Sequence, residues 1–132
     1  MDILLDTNIF LWIISDDKRL TQDAIDVYLD PKNRFLLSMA SVWEMFIKVA
    51  NGKLSVPKPP APFLQDQIQE NSLTLLPIRY AHTAHLIKLA DHHKDPFDRL
   101  IICQALVEKM PVLSSDKIFA KYGVENLFIR EV

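Results

Sequence analysis

Five acidic residues sit where their side chains could do chemistry. Asp6 lies in Leu4-Leu5-Asp6-Thr7-Asn8, directly after a short apolar run. Glu44 lies in Ser41-Val42-Trp43-Glu44-Met45-Phe46-Ile47, with apolar residues on both sides. Asp95 and Asp98 bracket Pro96-Phe97, and Asp116 follows Ser114-Ser115. A carboxylate in an apolar stretch must be paired, protonated or metal-bound. Carboxylates that converge also repel: at an effective dielectric of ~20, one pair ~4 Å apart costs about 4 kcal/mol. Protons or divalent cations relieve that repulsion. Hard cations such as Mg²⁺ take oxygen ligands. Two of them can activate a water and stabilise a leaving oxygen in phosphodiester hydrolysis.

Each acid also has an ordinary structural use. Asp6 suits the N-cap of a helix beginning at Thr7. Asp95 suits an N-cap with Pro96 at the first helical position and Asp98 two residues further on. Ser115 or Asp116 could cap a last short helix, and a nearby basic residue could satisfy Glu44. The set says more than its members, because the elements around it would gather the acids.

Apolar runs predict strands at Ile3–Leu5, Phe35–Leu37, Leu73–Ile78, Val112–Leu113 and Leu127–Ile129. Helices are predicted over Thr7–Ser15, Thr21–Leu29, Ser41–Ala50, Phe63–Glu70, Tyr80–Ala90, Pro96–Met110 and Lys117–Lys121. Strands alternating with helices imply an α/β fold with a central, mainly parallel sheet flanked by helices. The strands are continuously apolar, as expected of a sheet covered on both faces. In such sheets ligands bind outside the carboxyl ends of the strands. Asp6 and Asp116 fall just past two strands, Asp98 opens the most apolar helix, and Glu44 projects from a helix that follows another strand. Gly52 and Gly123 stand where helices could stop, and Pro57, Pro59, Pro60 and Pro62 form one stiff connection.

Length and composition bound the rest. The chain has 132 residues, 49% hydrophobic and 24% charged, which suits one globular domain over residues 1–132. The longest apolar run, Ile9–Ile14, is far short of the ~20 residues that cross a bilayer. The start, Met1-Asp2-Ile3, shows no secretory pattern. A single cysteine, Cys103, excludes an intramolecular disulfide, so a cytoplasmic setting is expected. Net charge is −2, yet without the five acids 15 basic residues face 12 acidic ones. The remaining +3 suits an anionic partner. Arg99 and Lys117 directly follow two of the acids and could reach a phosphate backbone.

The chain resembles a PIN-domain nuclease of the VapC type, the toxin of bacterial and archaeal toxin–antitoxin pairs. The resemblance spans nearly the whole chain. It rests on Leu4-Leu5-Asp6-Thr7-Asn8, on Ser38-x-x-Ser41-Val42-Trp43-Glu44, on His92-His93-Lys94-Asp95-Pro96-Phe97-Asp98-Arg99-Leu100 and on Ser114-Ser115-Asp116-Lys117. It implies a three-layer PIN-like fold and an endoribonuclease dependent on Mg²⁺ or Mn²⁺. By position, Asp6, Glu44, Asp98 and Asp116 would be the catalytic, metal-holding acids. Asp95 belongs to the same motif as a further pocket or metal residue. Thr7, Asn8 and Ser115 would order the pocket. The resemblance also implies an RNA substrate, a homodimer and a small cognate antitoxin protein. The alternative is a PIN-like RNA-binding module without catalysis. Ser114-Ser115 departs from the threonine usual there but keeps a hydroxyl.

Other residues invite weaker readings. His82, His85, His92 and His93 could suggest zinc with Asp91 or Asp95, but the spacing matches no usual zinc pattern. Cys103 reads as a packed thiol. Trp12 and Trp43 read as core or subunit contacts, and Trp43 could instead shape a pocket wall. The Ile9–Ile14 run is apolar on more sides than one core needs, which suggests a partner surface.

Overall fold

A computed structural model describes residues 1–128. Four strands form one sheet: β1 (Asp2–Leu5), β2 (Arg34–Ser38), β3 (Thr74–Leu76) and β4 (Val112–Leu113). The order is β3-β2-β1-β4, and every pairing is parallel. The helices are α1 (Thr7–Ser15), α2 (Gln22–Leu29), α3 (Met39–Ala50), α4 (Pro60–Glu70), α5 (Tyr80–His85), α6 (Pro96–Glu108) and α7 (Ile118–Lys121). The result is the α/β architecture expected.

Side chains alternate across a strand, so a continuous apolar run feeds both faces of a sheet. Ile3 and Leu5 of β1, Phe35 and Leu37 of β2, and Leu113 of β4 enter one buried cluster, with Ile9, Phe10, Met45 and Leu64 from the helices. Leu4, Leu36 and Val112 enter the other, with Leu100, Ile101, Ile102 and Phe119. Helices therefore cover both faces, and the sheet is the middle of three layers.

The register places the site. Leu5 pairs with Leu37 on one side and with Leu113 on the other. The chain consequently leaves β1 at Asp6, β2 at Ser38 and β4 at Ser114 along one edge of the sheet. Caps fix where the helices begin there. Asp6 accepts a hydrogen bond from the Thr7 N–H, and Ser38 Oγ accepts one from the Ala40 N–H. Asp95 Oδ1 accepts from the N–H groups of Phe97 and Asp98, with Pro96 at the first helical position. The buried Ser38 hydroxyl also bonds Gln104 of α6, which ties that helix to the strand edge.

Some boundaries differ from expectation, for local reasons. Helix α3 begins at Met39 rather than Ser41 because Ser38 caps it. Helix α4 begins at Pro60, whose missing N–H is harmless in a first turn. Strand β3 is only Thr74–Leu76, and Pro77 directly after it has no N–H to extend the ladder. The helix expected over Tyr80–Ala90 ends at His85 and continues as a 3-10 turn over Leu86–Lys88. Helix α6 stops at Glu108 because Lys109 adopts φ 55°, a left-handed cap. Of the strand expected at Leu127–Ile129, the structure shows one parallel bridge from Val112 to Asn126, and Ile129 lies outside the described residues. Among the described residues, no helix is long and apolar enough to cross a membrane.

The aromatic expectations divide. In the Ile9–Ile14 run, Ile9 and Phe10 are buried, and Leu11 to Ile14 are partly buried against the same core. Greater apolar exposure lies on α3. There Met39, Trp43, Phe46 and Ile47 are exposed, and Trp43 meets Phe97 edge-on with ring centroids 4.9 Å apart. Cys103 is fully buried, as expected.

Candidate active site

Asp6 is 4% exposed and has both oxygens engaged. Oδ1 accepts from the Thr7 N–H at 2.8 Å, and Oδ2 accepts from the Ser114 hydroxyl at 2.8 Å. Burial nevertheless pushes its carboxyl up to about 6, and Glu44 and Asp116 add to the rise. Both hydrogen bonds oppose that rise without cancelling it.

Glu44, in the second turn of α3, is 6% exposed. The Thr7 hydroxyl lies 2.9 Å from Glu44 Oε1 and 2.8 Å from the Ser41 hydroxyl. On the other side Lys48 Nζ donates to Oε2 at 2.9 Å. Lys48 is four residues on, the spacing that brings side chains together on one helix face. Its pKa is raised, mainly by this bond, with further contributions from the charges of Asp95 and Asp98. Lys48 thus belongs to the electrostatics of the pocket.

Asp98 stands in the first turn of α6. Its carboxyl is pushed up to about 8, first by burial and then by Asp6, Asp95, Glu44 and Asp116. The four acids expected to converge therefore act on one another. Asp95 is chiefly the cap of α6 and adds its charge beside Asp98. Asp116 accepts from the Ile118 N–H through Oδ1 and directs Oδ2 toward His93.

His93 is the member that sequence reasoning missed. Its Nε2 lies 3.0 Å from Asp98 Oδ2 and 3.5 Å from Asp116 Oδ2. One donor atom from each of the three residues falls within 4.8 Å of the others. The zinc set weighed from the sequence does not assemble, because His82 is buried elsewhere, bonded to Glu108 and to the Arg79 N–H. Lys48 carried a readable signal, its i+4 spacing from Glu44. His93 carried none beyond its place in the motif.

The remaining expected residues fall in different places. Thr7 is buried on Glu44. Asn8 is exposed on the first turn of α1. Ser114, rather than Ser115, supplies the hydroxyl that reaches Asp6. Arg99 turns back onto its own loop, where Nη1 donates to the carbonyls of Ala90 and His93 at 3.1 Å each. Lys117 is exposed beside Asp116.

The sequence matches the PIN domain family over residues 3–125. The chain belongs to the PIN domain family. This PIN domain is 38% identical over 71 residues to ribonuclease VapC16 of Mycobacterium tuberculosis, covering 51% of this chain and 50% of that relative. The matched segment thus spans about half the length of that relative. Solved structures share the fold, and two serve as examples. One is VapBC-1 of nontypeable Haemophilus influenzae, with a TM-score of 0.70 at 21% identity and 96% of each chain covered. The other is a toxin–antitoxin complex from Klebsiella pneumoniae, with a TM-score of 0.63 at 18% identity, covering 97% of this chain and 99% of that one.

PIN-domain nucleases use a divalent metal ion, and the acidic cluster here is compatible with one. The fit can be judged from the donors. Carboxylate oxygens suit a hard cation. The carboxyls of Asp6 and Asp98 are raised first by burial and then by the charges of the neighbouring acids. A divalent cation would relieve the repulsion among those charges.

Proposed function

We propose that this PIN domain is an endoribonuclease dependent on Mg²⁺ or Mn²⁺, the toxin of a toxin–antitoxin pair. The observation that carries the reading is the convergence of Asp6, Glu44, Asp98 and Asp116 on one edge of the sheet, with two of the four carboxyls pushed well above their usual range. The likeness to a ribonuclease over half of the chain points to RNA.

Asp6, Glu44, Asp98 and Asp116 would hold the ion. When bound, it supplies an activated water and offsets charge on the phosphoryl group and leaving oxygen. The chain's own groups prepare that chemistry. Ser114 and Thr7 keep Asp6 and Glu44 aimed, and their bonds to Asp6 oppose its protonation. Lys48 balances Glu44 and adds positive potential beside the pocket. The exposed Lys117 is placed to meet a phosphate backbone, and such contacts position a substrate without reading its sequence. Hydrolysis by water would not need the RNA 2′-hydroxyl, so preference for RNA would come from shape and loop recognition.

Two partners complete the reading. The fold it shares with toxin–antitoxin structures supports a small antitoxin protein as partner. The apolar stripe of Met39, Trp43, Phe46 and Ile47 on α3 supports a homodimer, since exposed apolar patches mark interaction surfaces. A cytoplasmic location fits such a toxin.

The test is cleavage of total cellular RNA by antitoxin-free protein, with Mg²⁺, with Mn²⁺ and with EDTA, beside Asp98→Asn. Discrete cuts by the wild type, abolished by EDTA and by the substitution, are expected. Folded protein that cuts no RNA in either metal would overturn the reading in favour of a non-catalytic module.

A further inference from the structure

The loop that follows β4 carries Ser114 and Asp116, and one amide side chain holds it from outside. Gly123, at φ 78°, turns the chain out of α7, and Val124 is buried in the second core cluster. Residues 125–127 then run beside β4. Val112 N–H donates to the Glu125 carbonyl at 2.9 Å, and Leu127 N–H donates to the Val112 carbonyl at 2.8 Å. Asn126 pairs with Val112 in this parallel bridge, and its side chain reaches past the end of β4 to the loop beyond.

Every hydrogen-bonding position of that amide is used. Nδ2 donates to the carbonyls of Ser114 at 2.8 Å and Asp116 at 3.3 Å. Oδ1 accepts from the N–H groups of Ser114 at 3.1 Å and Phe128 at 3.0 Å. A carboxamide offers two N–H donors and two acceptor lone pairs, so none is left over. The partners also fix its orientation, because a carbonyl only accepts and a backbone N–H only donates. Aspartate has the same shape but lacks both donors.

The consequence falls on Asp116. Its side chain is 44% exposed, so packing alone does not place it. Hydrogen bonds do. Asn126 holds the Asp116 carbonyl, and Asp116 N–H donates to the Ser114 hydroxyl at 3.0 Å. Ser114 is itself held by Asn126 at both backbone groups, and its hydroxyl donates to Asp6 Oδ2. Asp116 Oδ1 accepts from the Ile118 N–H, which leaves Oδ2 for the pocket.

We propose that Asn126 is a positioning residue for metal binding, which sets the turn of residues 114–116 so that Asp116 is presented to the pocket beside Asp6. This inference rests on the metal-dependent reading of the pocket. It adds a neutral side chain, outside the acidic cluster, that decides where the most exposed of the four acids stands.

The test measures Mn²⁺ binding by calorimetry in wild type, Asn126→Asp, Asn126→Ala and Leu127→Ala. Hydrogen exchange at the Ser114 and Asp116 N–H groups of the metal-free proteins accompanies it. Asn126→Asp keeps the acceptor for Ser114 and Phe128 but loses both donors. Its added negative charge would by itself draw Mn²⁺ more tightly, so weaker binding reports lost positioning. A loss of about 10-fold is expected, the scale of losing outer-shell support. Asn126→Ala should lose at least as much, and should speed exchange at Ser114 and Asp116. Leu127→Ala loses packing against the first core cluster but none of the Asn126 bonds, and should melt lower with its Mn²⁺ affinity unchanged. Asn126→Asp that binds Mn²⁺ as tightly as wild type, or more tightly, would overturn the proposal. So would unchanged exchange at Asp116 in Asn126→Ala, or an equal loss of affinity in Leu127→Ala, the mark of general destabilisation. If Asn126→Ala does not fold, Asn126→Asp decides alone. If wild type binds Mn²⁺ and cuts RNA while Asn126→Asp does both equally well, only this inference falls. Wild type that neither binds Mn²⁺ nor cuts RNA removes the nuclease reading, and this one with it.

Discussion

The two sides of the acidic pocket are held by different means. Asp6 and Glu44 are almost wholly buried, and their oxygens meet Thr7, Ser114 and Lys48. The side chains of Asp98 and Asp116 are 24% and 44% exposed, and a single ring nitrogen stands between them. On the inner side the sheet edge supplies the partners: the strand-end hydroxyl of Ser114, the helix-start hydroxyl of Thr7 and a neighbouring helix. On the outer side the partner arrives on a loop. The inner acids are therefore part of the fold's own hydrogen bonding, and removing one leaves buried groups unpaired. The outer acids are held near each other against repulsion, and removing one relieves the fold.

Activity tests that comparison most strongly. Glu44→Ala and Asp98→Asn should each lower RNA cleavage by about 10²–10³-fold or more, the scale of losing one charged group from a transition-state site. Stability should then separate them. Glu44→Ala removes the carboxylate that accepts from Thr7 and Lys48, and should destabilise the metal-free protein by about 1–3 kcal/mol. Asp98→Asn should raise the melting temperature of the metal-free protein, because it removes a carboxyl that burial and its acidic neighbours disfavour in the charged form. Calorimetric melting of both variants checks this, and an equal loss of stability in the two would break the distinction.

The pH dependence is the next largest effect. Folding raises the carboxyl of Asp98 from 3.8 to about 8. Between those values the folded chain binds the proton more tightly than the unfolded chain. Stability of the metal-free protein should therefore fall as pH rises from about 4 to about 8. Asp6, raised to about 6, adds to the fall over the lower part of that window. Melting temperatures at pH 5 and pH 8, without metal, should show the decline in wild type and a smaller one in Asp98→Asn. Saturating Mg²⁺ should reduce the difference, because a ligand bound only by the folded state stabilises it.

Ser114→Ala sharpens the inner side. It removes a bond that holds the Asp6 carboxyl down. The acid limb of the pH–rate profile should move to higher pH, with a stability loss of about 1 kcal/mol. The smallest effect belongs to Lys48→Met. Its side chain is 43% exposed, so the pair with Glu44 contributes no more than about 1 kcal/mol. A small drop in melting temperature that fades with added salt is expected.

Much of the site was legible because it sits at junctions that sequence marks well. Asp6 follows an apolar run and precedes a helix, and Asp95-Pro96 announces a helix start. Glu44 stands out as a charge among apolar residues. What escaped was the identity of the partners. Ser114 and Ser115 are indistinguishable by composition, and the strand register alone decides which one faces Asp6. Arg99 follows a pocket acid and looks free for phosphate, yet its side chain closes back on the carbonyls of its own loop. Trp43 read as core, subunit contact or pocket wall, and only the tertiary structure excludes the core, because the face of α3 that carries it turns outward.

The sequence by itself determined the alternation of strands and helices, the parallel sheet covered on both faces, and the placing of acids at its carboxyl edge. Those follow from apolar runs, caps and spacing, which act over a few residues. The tertiary structure decided which atoms meet across that edge: Ser114 on Asp6 over 108 residues of chain, Thr7 on Glu44 over 37, and Tyr122 on the loop of His93 over 29. Contacts of that range depend on strand register and on the direction in which each loop closes, and no local pattern in the chain encodes them.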